Sequence, residues 1–192
     1  MLAELGPVEA LEPEPTAAAH ARRQCPQARV AVGRVPEDVP SSATFDLVTA
    51  FDVIEHIDDD VAALRALRAA TRPGGTVVVT VPALCVLWSE HDVVNRHRRR
   101  YTKRQLRSAL AAADLGVEHL SYFNTLLFPA VLLVRLVGRL LPRRRPPRSD
   151  LELEVPGSTI NRVLTRVFGA EATVVATVGL PIGVSLVAVA RR

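Results

Sequence analysis

The amino-acid sequence predicts one α/β domain built on a doubly wound sheet. Three observations carry that prediction. Apolar, β-branched segments alternate with segments of helical periodicity along most of the chain. Thr76–Val81 is an unbroken β-branched run with no polar alternation, as in a strand buried on both faces. A turn of proline and glycine, Arg72-Pro73-Gly74-Gly75, stands between that run and a helical segment. Alternation of this kind pairs strands in parallel and lays the helices on the sheet faces.

In chain order, Val8–Leu11 reads as a short strand ended by Glu12-Pro13, and Thr16–Gln24 is alanine-rich and helical. Ala28–Val32 is a strand, followed by a loop over 33–44 that carries Pro36 and Pro40. Phe45–Ala50 is a strand of strong β character. Asp58 is placed to cap a helix whose apolar face is Val61, Leu64 and Leu67. Thr102 and Gln105 form a capping box that opens a helix through Leu106, Ala109 and Leu110. Val117–Tyr122 is a further strand, and Leu126–Leu141 is helical. After the RRRPPR segment (143–148), Ser158 caps a helix with Ile160, Val163, Leu164, Val167 and Phe168 on one face. Val184–Val189 closes the chain as a strand, and no internal repeat is present.

The chain has 192 residues, 48% of them hydrophobic and 23% charged. That is globular composition, and it excludes a disordered tail, a collagen or a coiled coil. Two cysteines, Cys25 and Cys85, are too few for a disulfide framework and suggest a reducing, cytosolic setting. The N-terminus has no basic segment followed by an apolar one, as a secretory signal would. Leu126–Leu141 is short for a membrane span and carries Arg135 and Arg139. Ala172–Ala190 lacks charge but is broken by Gly179, Pro181 and Gly183. Charge is unevenly placed: 12 acids against 4 arginines in residues 1–60, and 8 acids against 20 bases in 61–192. A basic second half suits an anionic surface, a phosphate-bearing substrate or nucleic acid.

Doubly wound sheets bind ligands at the carboxyl ends of their strands. Three such ends carry chemistry here: Glu12 in VEALEPEP, the segment FDLVTAFDVIEHIDDD (45–60), and the RPGG turn feeding TVVVTVP (76–82). In this order and spacing they resemble the class I S-adenosylmethionine-dependent methyltransferases, over Val8 to Arg192. The resemblance implies a Rossmann-like sheet with a helical insertion before the last strand. Residues 1–122 would form the cofactor-binding core, 123–180 the insertion or cap, and 181–192 the last strand. It also implies S-adenosyl-L-methionine as cofactor. Glu12, followed by Pro13, would hold the ribose; Gly33, Arg34 and Val35 would frame the adenine; Ala50, Phe51 and Asp52 would lie along the methionine portion. The segment LWSEHDVVNRHRRRYT (87–102) resembles a subgroup with a His-x-Arg-Arg-Tyr-Thr signature on its substrate side. Here that is His97, Arg99, Arg100, Tyr101 and Thr102. LPIGVSLVAVARR also looks like that subgroup's last strand.

One departure from the family pattern is large. The family's glycine-rich loop after a first strand is missing, and MLAELGPVEALEPEP matches the end of the helix that follows that loop. The expectation is a chain that begins inside the domain, through a late-called start codon in preference to a truncated gene. Loss of a central strand leaves two sheet edges unpaired, which implies marginal stability or abnormal pairing of the strands on either side. The activity expected by resemblance is methyl transfer to a small or lipid-like acceptor. The alternative is a non-catalytic methyltransferase-like binding module or a gene fragment.

On the acceptor side, His56, His91 and His97 are candidate catalytic bases, and Trp88, Arg100 and Tyr101 candidate substrate contacts. Asp52, Glu55 and His56 fall at i, i+3 and i+4, so a helical turn would put them on one face. Such ligands could hold a divalent metal, an arrangement similar to that of the quinone-precursor O-methyltransferases, but a shaped pocket floor is the preferred reading and no metal is assigned. Arg96, Arg98, Arg99, Arg100, Lys103 and Arg104 read first as a solvated face, then as an anionic-substrate site. Nucleic acid is disfavoured, because Tyr101 is the one aromatic among them. Residues 126–148 are read as a cover over the substrate pocket, with a peripheral membrane contact as the alternative. The sequence assigns no oligomeric state.

Overall fold

The structure is a computed structural model and describes residues 2–41, 45–140 and 158–192. The RRRPPR segment, Leu141, the end of the 33–44 loop and the side chains of Arg139, Ser158, Ile160, Val163 and Leu164 lie outside the described residues. Strands β1 (Val8–Glu12) and β2 (Ala28–Val32) flank helix α1 (Pro15–Gln24). Strand β3 (Phe45–Phe51), helix α2 (Asp60–Ala70) and strand β4 (Thr71–Pro82) follow. Helices α3 (Glu90–Val94) and α4 (Lys103–Ala112) lead to strand β5 (Gly116–Phe123). Helices α5 (Phe128–Leu140) and α6 (Ser158–Thr177) stand before the last strand, β6 (Ser185–Arg191).

The strands form two sheets. β1 and β2 pair in parallel, with Glu12 opposite Val32. The larger sheet has the order β3-β4-β6-β5; β3 and β4 are parallel, and β6 runs antiparallel to both of its neighbours. Among the described residues no strand joins β1 to β3. The expected alternative, abnormal pairing across a missing strand, is therefore not what forms; the two edges stay separate.

Packing explains where the sequence pattern and the structure differ. Val77, Val79 and Val81 are buried while Val78 and Thr80 are half-buried, so β4 is covered fully on one face, not on both. The covering elements present the predicted stripes: Leu64 and Leu67 of α2, and Leu106, Ala109 and Leu110 of α4. These join Leu186, Ala188 and Ala190 of β6 in one core. The cap of α2 is Asp59, not Asp58: its Oδ1 accepts from the Ala62 amide at 2.8 Å. The Thr102–Gln105 capping box forms as predicted. The RPGG segment lies within β4. A Cβ on Gly75 would meet Thr71 Cγ2 at 2.7 Å and the Arg72 carbonyl at 2.9 Å, so only glycine passes there. On α6, Val167 is half-buried and Phe168 is 41% exposed, so the predicted apolar face is not fully covered. Glu171 fixes this helix to the end of β5 by accepting from the Thr125 amide at 2.7 Å. No helix among the described residues is long and apolar enough to cross a membrane.

A two-stranded sheet is marginal by itself. Amide hydrogen exchange on the whole chain is expected to leave Val8–Glu12 and Ala28–Val32 at least roughly a hundredfold less protected than Val77, Val79 and Val187. Equal protection of both sheets would contradict this split in stability.

Candidate active site

The site is built where β3 and β4 end side by side. At the end of β3 the chain turns sharply: Asp52 adopts φ 52°, and its amide donates to both the Thr80 carbonyl (3.0 Å) and Thr80 Oγ1 (3.1 Å). Aspartate tolerates this left-handed backbone better than bulkier residues do. A 3-10 turn over Ile54–His56 follows and sends Ile54 and Glu55 inward. The long loop after β4 folds back onto the same place. The Tyr101 amide donates to the Pro82 carbonyl and the Leu84 amide to the Tyr101 carbonyl. The Arg98 amide donates to the Glu55 carbonyl at 2.8 Å, so the two loops are joined through their backbones.

Asp92 is the anchor of the second loop. It lies in α3, which opens with a Ser89–Asp92 capping box, and its side chain is fully buried. Its carboxylate accepts from the Ser89 amide (2.9 Å), Arg100 Nε (2.7 Å) and, at 3.0 Å, pairs with His97 Nδ1. Burial acts to raise its pKa. The bonds from His97 and Arg100, the Arg100 charge and the Ser89 amide outweigh that and hold the carboxyl well below the ordinary range.

With Nδ1 on Asp92, His97 keeps Nε2 for other partners. It stands against His56, the ring centroids 4.8 Å apart in an edge-to-face arrangement. His56 Nε2 lies 3.8 Å from Glu55 Oε1. Glu55, His56 and His97 each offer a ligand atom, and these atoms lie within 4.8 Å of one another. Glu55 is fully buried, and neither of its oxygens has a hydrogen-bond partner among the described residues. Burial pushes its carboxyl up to about 8, its own backbone amide opposes this, and the Asp52 charge adds to the rise. Burial, then His97, draws the His56 imidazole below its ordinary value.

The predicted cofactor residues lie at the ends of three strands. Glu12 ends β1, and its carbonyl accepts from the Gly33 amide at 3.2 Å. Gly33 is buried, and a Cβ there would lie 2.9 Å from Asp38 Cβ and 3.2 Å from Leu11 Cδ2, so these two side chains pack directly on its backbone. Asp38 Oδ2 accepts from the Arg34 amide at 2.8 Å and shapes the turn that carries Val35. Ala50 is buried, Phe51 and Asp52 are exposed, and Pro13 is exposed.

A family description, "Methyltransferase domain", matches residues 4–120, more than half of the chain. The chain belongs to this methyltransferase family. Its architecture is that of the class I S-adenosylmethionine-dependent members. It resembles the solved S-adenosylmethionine-dependent methyltransferase of Mesorhizobium loti with a TM-score of 0.61 at 14% identity, over 99% of this chain and 83% of the other. A ubiquinone biosynthesis O-methyltransferase of Methylobacterium sp. (strain 4-46) is 39% identical over 79 residues, which are 38% of this chain and 32% of that protein. One from Methylocella silvestris is 30% identical over 133 residues, 60% and 52% of the two chains. The chain thus spans about half or less of the length of these curated relatives.

The residues read from sequence as facing an acceptor part company in the structure. His56 and His97 converge, joined by Glu55. His91 does not belong to that group; its Nε2 lies 3.1 Å from Asn95 Nδ2 on the same helical turn. Arg100 and Tyr101, the candidate substrate contacts, turn inward. Arg100 is buried and also donates to the Ala83 carbonyl at 3.0 Å; the Tyr101 hydroxyl donates to Asp60 Oδ2 at 2.8 Å. Trp88 is half-buried after the Cys85–Leu87 turn. The metal-capable group contains His97 where the sequence reading had Asp52. Much of the basic run is matched internally: Arg98 pairs with Asp58 at 3.3 Å and Arg99 with Asp60 at 3.1 Å. Asp92, central to the site, was not singled out as an anchor; its one sequence signal is the Ser-x-x-Asp cap.

Asp92→Asn would leave the Arg100 guanidinium buried beside a neutral amide. The expected cost is about 3–5 kcal/mol of stability, read as a lowered urea midpoint. A loss below about 1 kcal/mol would mean that Asp92 does not anchor this loop.

Proposed function

We infer that the chain supplies the cofactor-binding and acceptor-facing core of an S-adenosylmethionine-dependent methyltransferase acting on a small or lipid-like acceptor. The observation that carries this reading is the family match over residues 4–120. It spans the strand ends that bear Glu12, Gly33, Asp52 and the Glu55–His56–His97 cluster. The residues present fit the cofactor: Glu12 offers a carboxylate for ribose hydroxyls at the end of its strand, and the turn from Gly33 to Val35 begins beside it, with Gly33 bonded to the Glu12 carbonyl. Ala50, Phe51 and Asp52 would line the methionine end, where the turn at Asp52 opens the backbone.

S-adenosylmethionine supplies an electrophilic methyl group when bound. The protein's part is then positioning, which contributes strongly to an in-line transfer. The Glu55–His56–His97 cluster is suited to bind the acceptor's reacting heteroatom and to draw off its proton. Asp92 acts as a positioning residue that sets the His97 ring. The names of the two curated relatives support a hydroxyl on a lipid-like ring as the acceptor class. Helix α5 supports a peripheral contact with lipid as the second element of this reading. Leu133 and Val134 are 62% and 59% exposed, and Arg135 lies beside them.

S-adenosylhomocysteine at about 100 times its dissociation constant is expected to stabilise the chain by about 2.7 kcal/mol, seen as a raised melting temperature. Glu12→Ala should remove that shift. A shift of equal size in the variant would refute the role of Glu12, and none in the wild type would refute the cofactor reading. In flotation with anionic vesicles, Leu133→Ser/Val134→Ser should reduce lipid-bound protein relative to wild type; equal flotation would refute the α5 contact.

A further inference from the structure

We propose that Arg135, on helix α5, is a positioning residue for His97, acting through Ser89 and Asp92, so that the seating of α5 sets the order of the His97 ring. Three observations converge on this. The first is where Arg135 points. Val131, Leu132, Arg135 and Gly138 are half-buried at helical spacing, while Leu133, Val134, Leu136 and Val137 are exposed. Arg135 therefore stands on the inner face of α5. The helix packs on the turn Cys85–Leu87, just before Ser89, and the Arg135 guanidinium donates to Ser89 Oγ.

The second is the direction of the bonds. A hydroxyl has one proton to give and two lone pairs to receive. Ser89 Oγ accepts from the His91 amide at 3.3 Å and from Arg135, and neither donor can accept in return. The hydroxyl proton is left for Asp92 Oδ2, 3.4 Å away, and the Ser89 amide donates to the same oxygen at 2.9 Å. The ionised carboxylate only accepts, so His97 Nδ1 is the donor to its other oxygen. Every step from Arg135 to the His97 ring thus has a fixed polarity, and bonds in such a chain strengthen one another.

The third is the middle of the chain. Helix α3 has five residues, too few to hold a helical shape unaided, so its geometry depends on the cap at Ser89 and on Asp92. Freeing Ser89 Oγ from Arg135 lets the hydroxyl rotate away from Asp92, and the His97 ring loses part of what fixes it. The link is reciprocal: a tie that steadies His97 from α5 also steadies α5 from Ser89.

This coupling stands without the methyl-transfer reading. Its use in the reaction rests on that reading, in which α5 meets lipid and His97 serves the reacting heteroatom: the base is then ordered when the helix is seated.

The test follows the His97 ring in the whole chain by proton–nitrogen NMR, with His97→Gln to assign its signals and circular dichroism to check the fold of each variant. The wild type is expected to show a His97 Nδ1 proton slow to exchange with water. Arg135→Met keeps a long side chain but removes its charge and donors, and Ser89→Ala cuts the same link from the other end. Each should speed that exchange at least about tenfold, as loss of a hydrogen bond to a charged group would. Arg135→Lys keeps a charged donor and should restore most of the wild-type rate. Arg107→Met, at an exposed position of α4, should leave the rate within about twofold. In the reverse direction, Ser89→Ala should raise amide exchange at Val134 and Arg135 at least about tenfold. Arg135 is only half-buried, so Arg135→Met carries the test even where Ser89→Ala disturbs α3.

A His97 signal that neither Arg135→Met nor Ser89→Ala alters would overturn the proposal, even with a lowered melting temperature, because Arg135 would then act on stability alone. So would a wild-type Nδ1 proton in fast exchange, since Asp92 would not be holding the ring. S-adenosylhomocysteine binding, measured by calorimetry on the same samples, separates the two readings: a wild type that binds none defeats the methyl-transfer reading and leaves the coupling in place.

Discussion

The arrangement of the loops around Glu55, His56 and His97 depends on the compensation of one buried charge, that of Asp92. An uncompensated carboxylate there would cost several kcal/mol. The loop from Ala83 to Tyr101 takes the form that brings donors to it. Ser89 supplies its amide, His97 a ring nitrogen and Arg100 its Nε. Arg100 can be buried only because Asp92 and the Ala83 carbonyl receive its donors, and that second bond fixes the start of the loop to the end of β4. The same closure places His97 against the turn after β3, where the Arg98 amide meets the Glu55 carbonyl. The orientation of the His97 imidazole is thus a by-product of satisfying a buried ion pair.

Electrostatics of a weaker kind organise the outside of this region. The acidic end of residues 45–60 and the basic run after His97 come from oppositely charged halves of the chain, and they meet. Asp58 and Asp60 receive Arg98 and Arg99, and Arg99 also donates to the Ile57 and Asp58 carbonyls at 3.1 and 2.6 Å. Exposed pairs contribute little each. Arg99 is different because it closes carbonyls at the end of the turn before α2, where Asp59 begins the helix. A run of bases that looks like a surface for anions is in good part the complement of the protein's own acids.

The sequence made the elements legible because periodicity and caps are local. Ala28–Val32 has the predicted bounds, and the Thr102–Gln105 box opens α4 as read. The core stripes of α2 and α4 were visible for the same reason. The site was legible in composition but not in geometry. Arg98, Arg99 and Arg100 are equivalent in sequence, yet one is buried on Asp92 and the others reach outward to Asp58 and Asp60. The i, i+3, i+4 reading of Asp52, Glu55 and His56 assumed an α-helical turn. The backbone instead turns left-handed at Asp52 and then takes a 3-10 turn, which removes Asp52 from the face. Its place is taken by His97, more than forty residues along, which only tertiary folding brings near.

The two halves of the site differ in the support beneath them. The Glu55–His56–His97 cluster stands at the ends of β3 and β4, strands paired in the larger sheet and packed on its core. Glu12 and Gly33 stand on the β1–β2 pair, which has no strand partner in that sheet among the described residues. A ligand that touches both Glu12 and Asp52 would therefore link two structures whose backbones share no ladder. Part of its binding energy would go into ordering the smaller sheet, so its measured affinity would understate its contacts. The Glu55–His56–His97 cluster needs no such ordering, because its loops are already closed by Asp92, Arg100 and the Arg98–Glu55 backbone bond. Affinity for a cofactor should consequently depend on how firmly β1 is held, whereas the geometry of the Glu55–His56–His97 cluster should not. This follows from topology and packing alone, and it locates the sensitivity of the site in its smaller sheet.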